Sequence, residues 1–558
     1  MHEINLRFIN VSKSPTEETI RVPAGTTAGT LVQHFGLPAN SLAAIKVNNE
    51  ILPLSGTLDV NAFLEPVLLD SPEGAMIYRR SLSFLLALAA RKLFPRRNLY
   101  VGHSLGNSYY YTFADNEKPL DKEIEALRDE MRLLVREDLP ITLKYMAYTE
   151  ALEFFNENKQ TDTALLLEER SESKVPVNVC QDFTDLYIEP LVDRTGLLFS
   201  FSLDPYQDGF LLRFPGVGRS MEIDPFEDSP GIFSVYHEYK RWGRIVGVHA
   251  VGHLNRLVSQ RKIRDYIWTA EAFQQKKLSE IADAIYERRN DIKVILIAGP
   301  SSSGKTTSAK RLSIALKVMG INPIAVGLDD YYLGVEKAPK DEKGDPDLEA
   351  LEALDVPFLN EQLLALFRGE EVTLPVFNFK QGLRQQSGGK TIKLERRDML
   401  IVEGIHGLND ALTARLDKSM KFKLYVSALT QLNLDDHNRI PTSDNRLLRR
   451  LVRDYQFRGM GAARTIKMWP NVQKGERKHI FPFQNGADAA FNSALDYELA
   501  VLKFYAEPLL RSVKPGTTEF GEAVRLLSFL ENFAPIPPQY VPGQSILREF
   551  IGESEFKY

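Results

Sequence analysis

The chain has 558 residues, 44% of them hydrophobic and 26% charged, with a formal net charge of −5. This composition fits a globular protein of three or four domains and excludes a general nucleic-acid-coating role, though not a local basic patch. The single cysteine, Cys180, excludes an internal disulfide framework and any cysteine-rich metal site, and it points to a reducing compartment.

The amino terminus, MHEINLRFINV, has no signal-peptide core, and the most apolar helical stretch, Leu82 to Ala90, is too short to span a bilayer. The expectation is a cytoplasmic protein with no membrane partner. Residues 1–66 read as a small β-rich domain. Ile4 to Ile9 alternates, Glu18 to Val22 is a second strand, Thr26 to Phe35 is helical, and Ala44 to Val47 leads into a hairpin turn at Asn48-Asn49. The run RVPAGTTAGTLVQHFGL…AAIKVNNEIL resembles the TGS domain, a β-grasp module of threonyl-tRNA synthetases and some GTPases; any other ubiquitin-like β-grasp domain is the alternative.

Residues 73–250 resemble the second additional, editing-type domain of threonyl-tRNA synthetase, an α+β fold. RRSLSFLLALAARKLFP, VGHSLGNSYYYTF, a charged helix from Asp121 to Glu137, and QDFTDLYIEPLV carry the likeness. In the synthetases this fold holds a metal through an HxxxH helix and a later CxxxH. Here Arg80, Phe84, Tyr187 and Leu191 stand at those positions, so the resemblance implies a retained fold without the metal-based editing chemistry. Arg79, Arg80, Arg91, Lys92, Arg96 and Arg97 could form a patch for RNA, or simply a solvated face. His249 and His253 would share a face if helical, but Gly247 and Gly252 weaken the helix and no third ligand is visible nearby, so packing histidines are expected. Residues 254–290 read as one long helical connector.

From residue 291 to 510 strands and helices alternate, which implies a parallel sheet with helices on both faces. Val294 to Ala298 is a buried-strand pattern. GPSSSGKTT follows it, with Gly299, Gly304, Lys305 and Thr306 completing GxxxxGK[ST], and then a helix begins. The glycines let successive N–H groups face phosphate oxygens, and the helix directs its positive end at the same anion. Gly299, Pro300, Ser301, Ser302, Ser303, Gly304, Lys305, Thr306 and Thr307 are therefore the candidate ATP-binding residues, with Lys305 on the β- and γ-phosphates and Thr306 on Mg2+. A second strand, Pro323 to Leu328, ends in Asp329-Asp330-Tyr331-Tyr332, where an acid one strand over from the phosphate loop could take a proton from an attacking hydroxyl. Met399 to Val402 leads to Glu403, an acid placed to bind Mg2+. In DNRLLRRLVRDYQFRG, Arg446, Arg449, Arg450 and Arg453 form one helical stripe. Beside a phosphate loop it reads as a lid hinged at Gly459, Gly461 and Gly475, and in isolation as a solvated face.

These markers in this order resemble the uridine kinase / phosphoribulokinase family of P-loop kinases. DDYY answers its DSFY-type motif, LEALD its PDAFD segment, PVFNF its PxYDF, VEGIHGL its FEGILAF, and RLLRRLVRD…RG its lid. The resemblance implies Asp329 as base for a nucleoside 5′-hydroxyl, with Lys305 and Arg450 assisting. It further implies Asp347 or Glu349 on the ribose, Phe377 stacked on the base, and Tyr332, Arg384 and Arg458 at the substrate. Where uridine-cytidine kinases carry a histidine after PxYDF this chain has Gly382, and after the lid's RG it has Met460 in place of an arginine, so base discrimination should be weak or different. Residues 511–558 form a tail expected to pack on the core, or to reach a neighbouring subunit. The expected function is an ATP- and Mg2+-dependent nucleoside kinase. The alternatives are a kinase for another small alcohol or sugar phosphate, and an RNA- or tRNA-binding regulator with a nucleotide-driven switch.

Overall fold

Four elements of sequence chemistry organise the chain: two β-rich layers in front, a helical joint, and a parallel sheet behind. The computed structural model describes all residues except 1, 11–15, 116, 219–220, 341–343, 345, 348, 379–382, 386–387 and 558. Gly382 therefore lies outside the described residues.

The first sheet has the strand order Thr16–Pro23, Glu3–Asn10, Ala62–Leu68, Leu42–Val47, Glu50–Leu52, with the second and third strands parallel. Asn48 and Asn49 both take left-handed φ values (52° and 72°), as a two-residue hairpin whose twist must match its strands requires. The expected helix is a 3-10 helix, Ala28–Phe35, whose Leu31 and Phe35 pack onto Phe8 and the apolar face of the sheet.

The next layer is built on the helix Pro72–Leu93. Ser71 caps it by accepting from Gly74 N at 3.0 Å, and its apolar run from Leu82 to Ala90 is buried in the local core. At the positions where the resemblance places lost metal ligands, Arg80 is ion-paired with Glu189, Phe84 packs edge-on against Phe183 at 5.2 Å, and Leu191 is buried. Glu189 also pairs with Arg525 at 3.1 Å, and Arg525 with Asp444 at 2.7 Å. Most of the proposed RNA-binding cations are likewise engaged internally. Lys92 pairs with Glu130, Arg97 with Asp115 and Glu123, Arg79 lies over Phe214, and Arg91 bonds Asn158.

The connector is two helices, not one. Val251–Ser259 and Ile263–Glu287 are separated at Arg261, whose φ of 60° breaks the helical hydrogen-bond ladder. His249 precedes the first of them, so the two histidines do not share a helix.

The rear sheet is wholly parallel, in the order Asn322–Gly327, Asp398–Glu403, Val294–Ala298, Lys421–Ser427, Ala489–Asn492. This corrects the expected adjacency. The strand that ends at Glu403 lies beside the phosphate-loop strand, and the strand leading to Asp329 is one place further out. The later strand inserts between the first two, a non-local pairing that leaves no mark in either strand's own sequence. No helix among the described residues is long and apolar enough to cross a membrane.

Candidate active site

Val294–Ala298 is buried along its whole length, as a central parallel strand must be, and it delivers the phosphate loop at its carboxyl end. Gly304 caps the helix Lys305–Val318 with φ 78°, a conformation that penalises any side chain. A Cβ there would also lie 2.5 Å from Ile546 Cγ2 of the carboxyl-terminal tail.

Lys305 turns back on the loop, donating to Gly299 O at 2.9 Å and Pro300 O at 3.1 Å. Burial lowers its pKa, and the nearby carboxylates Glu403, Glu549, Asp329 and Glu476 pull it back up. Thr306 Oγ1 lies 3.1 Å from both oxygens of Glu403. Burial raises the Glu403 pKa to about 7; Lys305 opposes the rise and Glu549 adds to it. Asp329 is raised as well, by burial first, with Lys305 and Arg458 opposing and Asp330 reinforcing. Thus Lys305, Glu403 and Asp329 stand within electrostatic reach of one another, with Thr306 against Glu403 and Arg458 beside Asp329.

The arginine stripe is not a solvated face. Arg449 is fully buried on Glu498 (Nε to Oε2 3.1 Å) and also donates to Ser302 O at 3.3 Å; Arg446 pairs with Glu476. Arg450 donates to Ser301 Oγ at 2.8 Å and pairs with Asp454, which Arg453 and Arg458 share. Carboxylates of the protein neutralise the stripe, while Arg449 and Arg450 dock the helix Thr442–Arg458 against the loop through Ser302 O and Ser301 Oγ, which the stripe alone could not disclose. Gly475 is not a hinge: it lies inside the helix Ala462–His479, where a Cβ would overlap the Glu349 carboxylate.

Asp347 and Glu349 separate cleanly. Asp347 meets Lys478 at 3.3 Å and His479 at 3.8 Å. Glu349 faces inward, its pKa raised to about 7 by burial, Glu476 and Asp347 against the pull of Arg450 and Lys305. The Tyr332 and Phe377 rings are 5.7 Å apart, and Asp330 accepts from Phe377 N at 3.0 Å. Arg384 is engaged with Asp355 at 3.0 Å and Tyr331 O at 3.1 Å, so it braces the DDYY segment.

Two residues that the sequence reading missed sit on the phosphate loop itself. The Glu549 carboxylate, from the tail helix Arg548–Ile551, accepts from Thr307 N at 3.0 Å and Thr307 Oγ1 at 2.6 Å. Glu476 accepts from Ser301 N at 2.8 Å. Loop groups expected to meet phosphate oxygens therefore meet carboxylate oxygens of the protein itself, as the donors at a helix amino terminus favour.

Residues 294–500 match the sequence model of the Phosphoribulokinase / Uridine kinase family. The front half is similar to threonine–tRNA ligases. One from Symbiobacterium thermophilum is 33% identical over 184 residues, covering 32% of this chain and 28% of the ligase. One from Desulforamulus reducens is 35% identical over 170 residues, covering 30% and 26%. The chain thus spans little more than a quarter of either ligase. Among solved structures, one described as a possible uridine kinase from Bacillus stearothermophilus aligns over 39% of this chain and 100% of its own at 20% identity, with a TM-score of 0.24, a likeness too slight to carry any inference.

Proposed function

We propose that the rear half transfers the γ-phosphate of ATP to a hydroxyl of a small molecule, a nucleoside 5′-hydroxyl first among the candidates. The observation that carries this reading is the meeting of Lys305, Glu403 and Asp329 beside an anion-binding loop at the carboxyl end of a parallel sheet. Phosphoryl transfer needs positioning and charge neutralisation more than covalent help, and this set supplies both. Asp329 is the base: burial raises its proton affinity, which suits it to accept the acceptor's proton. Lys305 leaves its loop carbonyls for the phosphates, and Arg450 and Arg458 stabilise the transferring group.

Thr306 and Glu403 are the residues that would hold Mg2+. Their oxygens already converge, and a buried carboxylate held near neutrality is one that a cation would satisfy. When bound, Mg2+ neutralises charge developing on the phosphoryl oxygens. Of the two acids considered for the ribose, the inward orientation of Glu349 favours it over Asp347. Phe377 beside Tyr332 offers an aromatic face to a base. The helix Thr442–Arg458 is the lid, here closed on the loop, and residues 1–66 and 73–250 are the TGS-like and editing-like domains. Internal ion pairs of the front half's cations favour the kinase reading over an RNA-binding one.

The test is ATP and Mg2+ with a panel of nucleosides, sugar phosphates and small alcohols, using wild type and Asp329→Asn. The variant should lose about 10²–10⁴-fold in kcat while retaining ATP binding. Full activity of Asp329→Asn would overturn the assignment.

A further inference from the structure

Away from the phosphate loop, the joint between the halves holds a second cluster that the kinase reading leaves unexplained. His253 lies in the first turn of Val251–Ser259, and His249 just before it. The backbone around His249 is pinned to the rear half: Val251 N donates to Asn433 O at 2.9 Å, and Asn433 N donates to His249 O at 3.1 Å. The two imidazole centroids are 4.2 Å apart. The third ligand missing from the local sequence is Asp162, from the first turn of the helix Thr161–Glu168, with its carboxylate buried.

Asp162 Oδ1 lies 3.3 Å from His249 Nε2 and 4.0 Å from His253 Nδ1. One ligand atom from each of the three residues falls within 4.8 Å of the others. Around a tetrahedral zinc ion such atoms stand about 3.4 Å apart, given bonds of about 2.0–2.1 Å, so small side-chain rotations close the set. Of the ligand atoms in this set, Nδ1 of His253 is buried and has no hydrogen-bond partner among the described residues, and the neighbouring Oδ1 of Asp436 is likewise unpartnered among them. Such orphans are rare in native proteins and signal an ion or water. Asp436 Oδ2 meanwhile accepts from Asp162 N and Thr163 N, both at 3.0 Å, and so orients the Asp162 turn. The countercharges are Lys240, whose Nζ donates to Gln431 O at 3.3 Å, together with Arg244 and Arg256.

We propose that Asp162, His249 and His253 bind a divalent transition-metal ion of the zinc type. Two imidazoles and one carboxylate select Zn2+, Co2+ or Ni2+ over the all-oxygen preferences of Mg2+ and Ca2+. Three protein ligands leave a fourth position, which the partly exposed histidines open to water. The site differs from the editing-type metal position, now held by Arg80, Phe84, Tyr187 and Leu191. Bound there, the ion ties the Thr161–Glu168 helix to the His249–His253 turn and, through Asp436, to the rear half.

The test uses the full chain without a polyhistidine tag, stripped by chelator and titrated with Co2+ and Zn2+. The expected result is about one equivalent of Co2+ per chain with the intense visible absorption of a four-coordinate nitrogen–oxygen site, its displacement by Zn2+, and a higher melting temperature with metal. His253→Ala and the double variant His249→Ala/His253→Ala should lose that equivalent while retaining the wild-type circular dichroism spectrum. Failure of wild type to bind, an octahedral Co2+ spectrum, or unchanged binding by the double variant would overturn the proposal. The wild-type measurement alone decides if the variants misfold.

Discussion

Replacing Glu549 by glutamine removes one charge from the first turn of the phosphate-loop helix and leaves side-chain size unchanged. The carboxylate now takes two hydrogen bonds from Thr307, at 3.0 and 2.6 Å. Charge-assisted bonds contribute about 1.5–3 kcal/mol each and neutral ones about 0.5–1.5. The positive end of the helix adds about 0.3–1 kcal/mol for an anion. Both bonds fall on one oxygen, Glu549 Oε2, and an amide oxygen can still accept there, so counting the exchange once gives a net weakening of the docked tail of about 1–2 kcal/mol. If nucleotide must displace that carboxylate, its apparent affinity rises by the same energy, about 5–30-fold, as the binding-competent fraction grows. Calorimetric titration of ATP with Mg2+ into wild type and Glu549→Gln measures this directly. Equal or weaker binding by the variant would show that Glu549 does not compete with phosphate.

Arg449→Met should destabilise the fold by about 3–5 kcal/mol, because Glu498 is left buried without its partner, and Arg449→Met/Glu498→Gln should recover part of the loss; denaturant unfolding reports both. His437 bridges the halves through Asp185 at 3.2 Å. Burial disfavours its charge, but Asp185, Asp436 and Asp435 outweigh burial and raise its pKa to about 9. A raised histidine stabilises fully below its unfolded pKa of about 6.5 and loses that contribution as pH climbs through about 9, a ceiling of roughly 3 kcal/mol. Wild-type stability should therefore fall between those pH values, and His437→Gln should flatten the decline; equal slopes in the two proteins would refute it.

The phosphate loop was legible because its chemistry is local: a buried strand, a glycine-rich turn and a helix lie within about twenty consecutive residues. Glu403 was legible too, as an acid at the end of an apolar strand. The strand order was not, since Asp398–Glu403 inserts between two earlier strands by pairings that either sequence would permit. Glu549 and Glu476 escaped notice for a related reason. They lie 242 and 175 residues from the loop groups they meet, in helices whose patterns announce only packing. The arginine stripe was seen but its surroundings were misjudged, because a helical wheel counts like charges without the acids that face them. Asp162 could not be joined to His249 and His253 from spacing alone, as the fold brings it from a separate helix.

The chain of opposite charges from Arg80 through Glu189 and Arg525 to Asp444 has a practical corollary for anyone who would dissect this protein. Asp444 opens the helix that carries Arg450 to the loop, and Arg525, one of its anchors, is shared with the front layer. A fragment cut at residue 291 would strip Arg525 of one acid, uncover Asp436 and Asn433, and leave the loop that bears them without its bed. The candidate active site is thus mortised into the ligase-like portion, and its behaviour belongs to the undivided molecule.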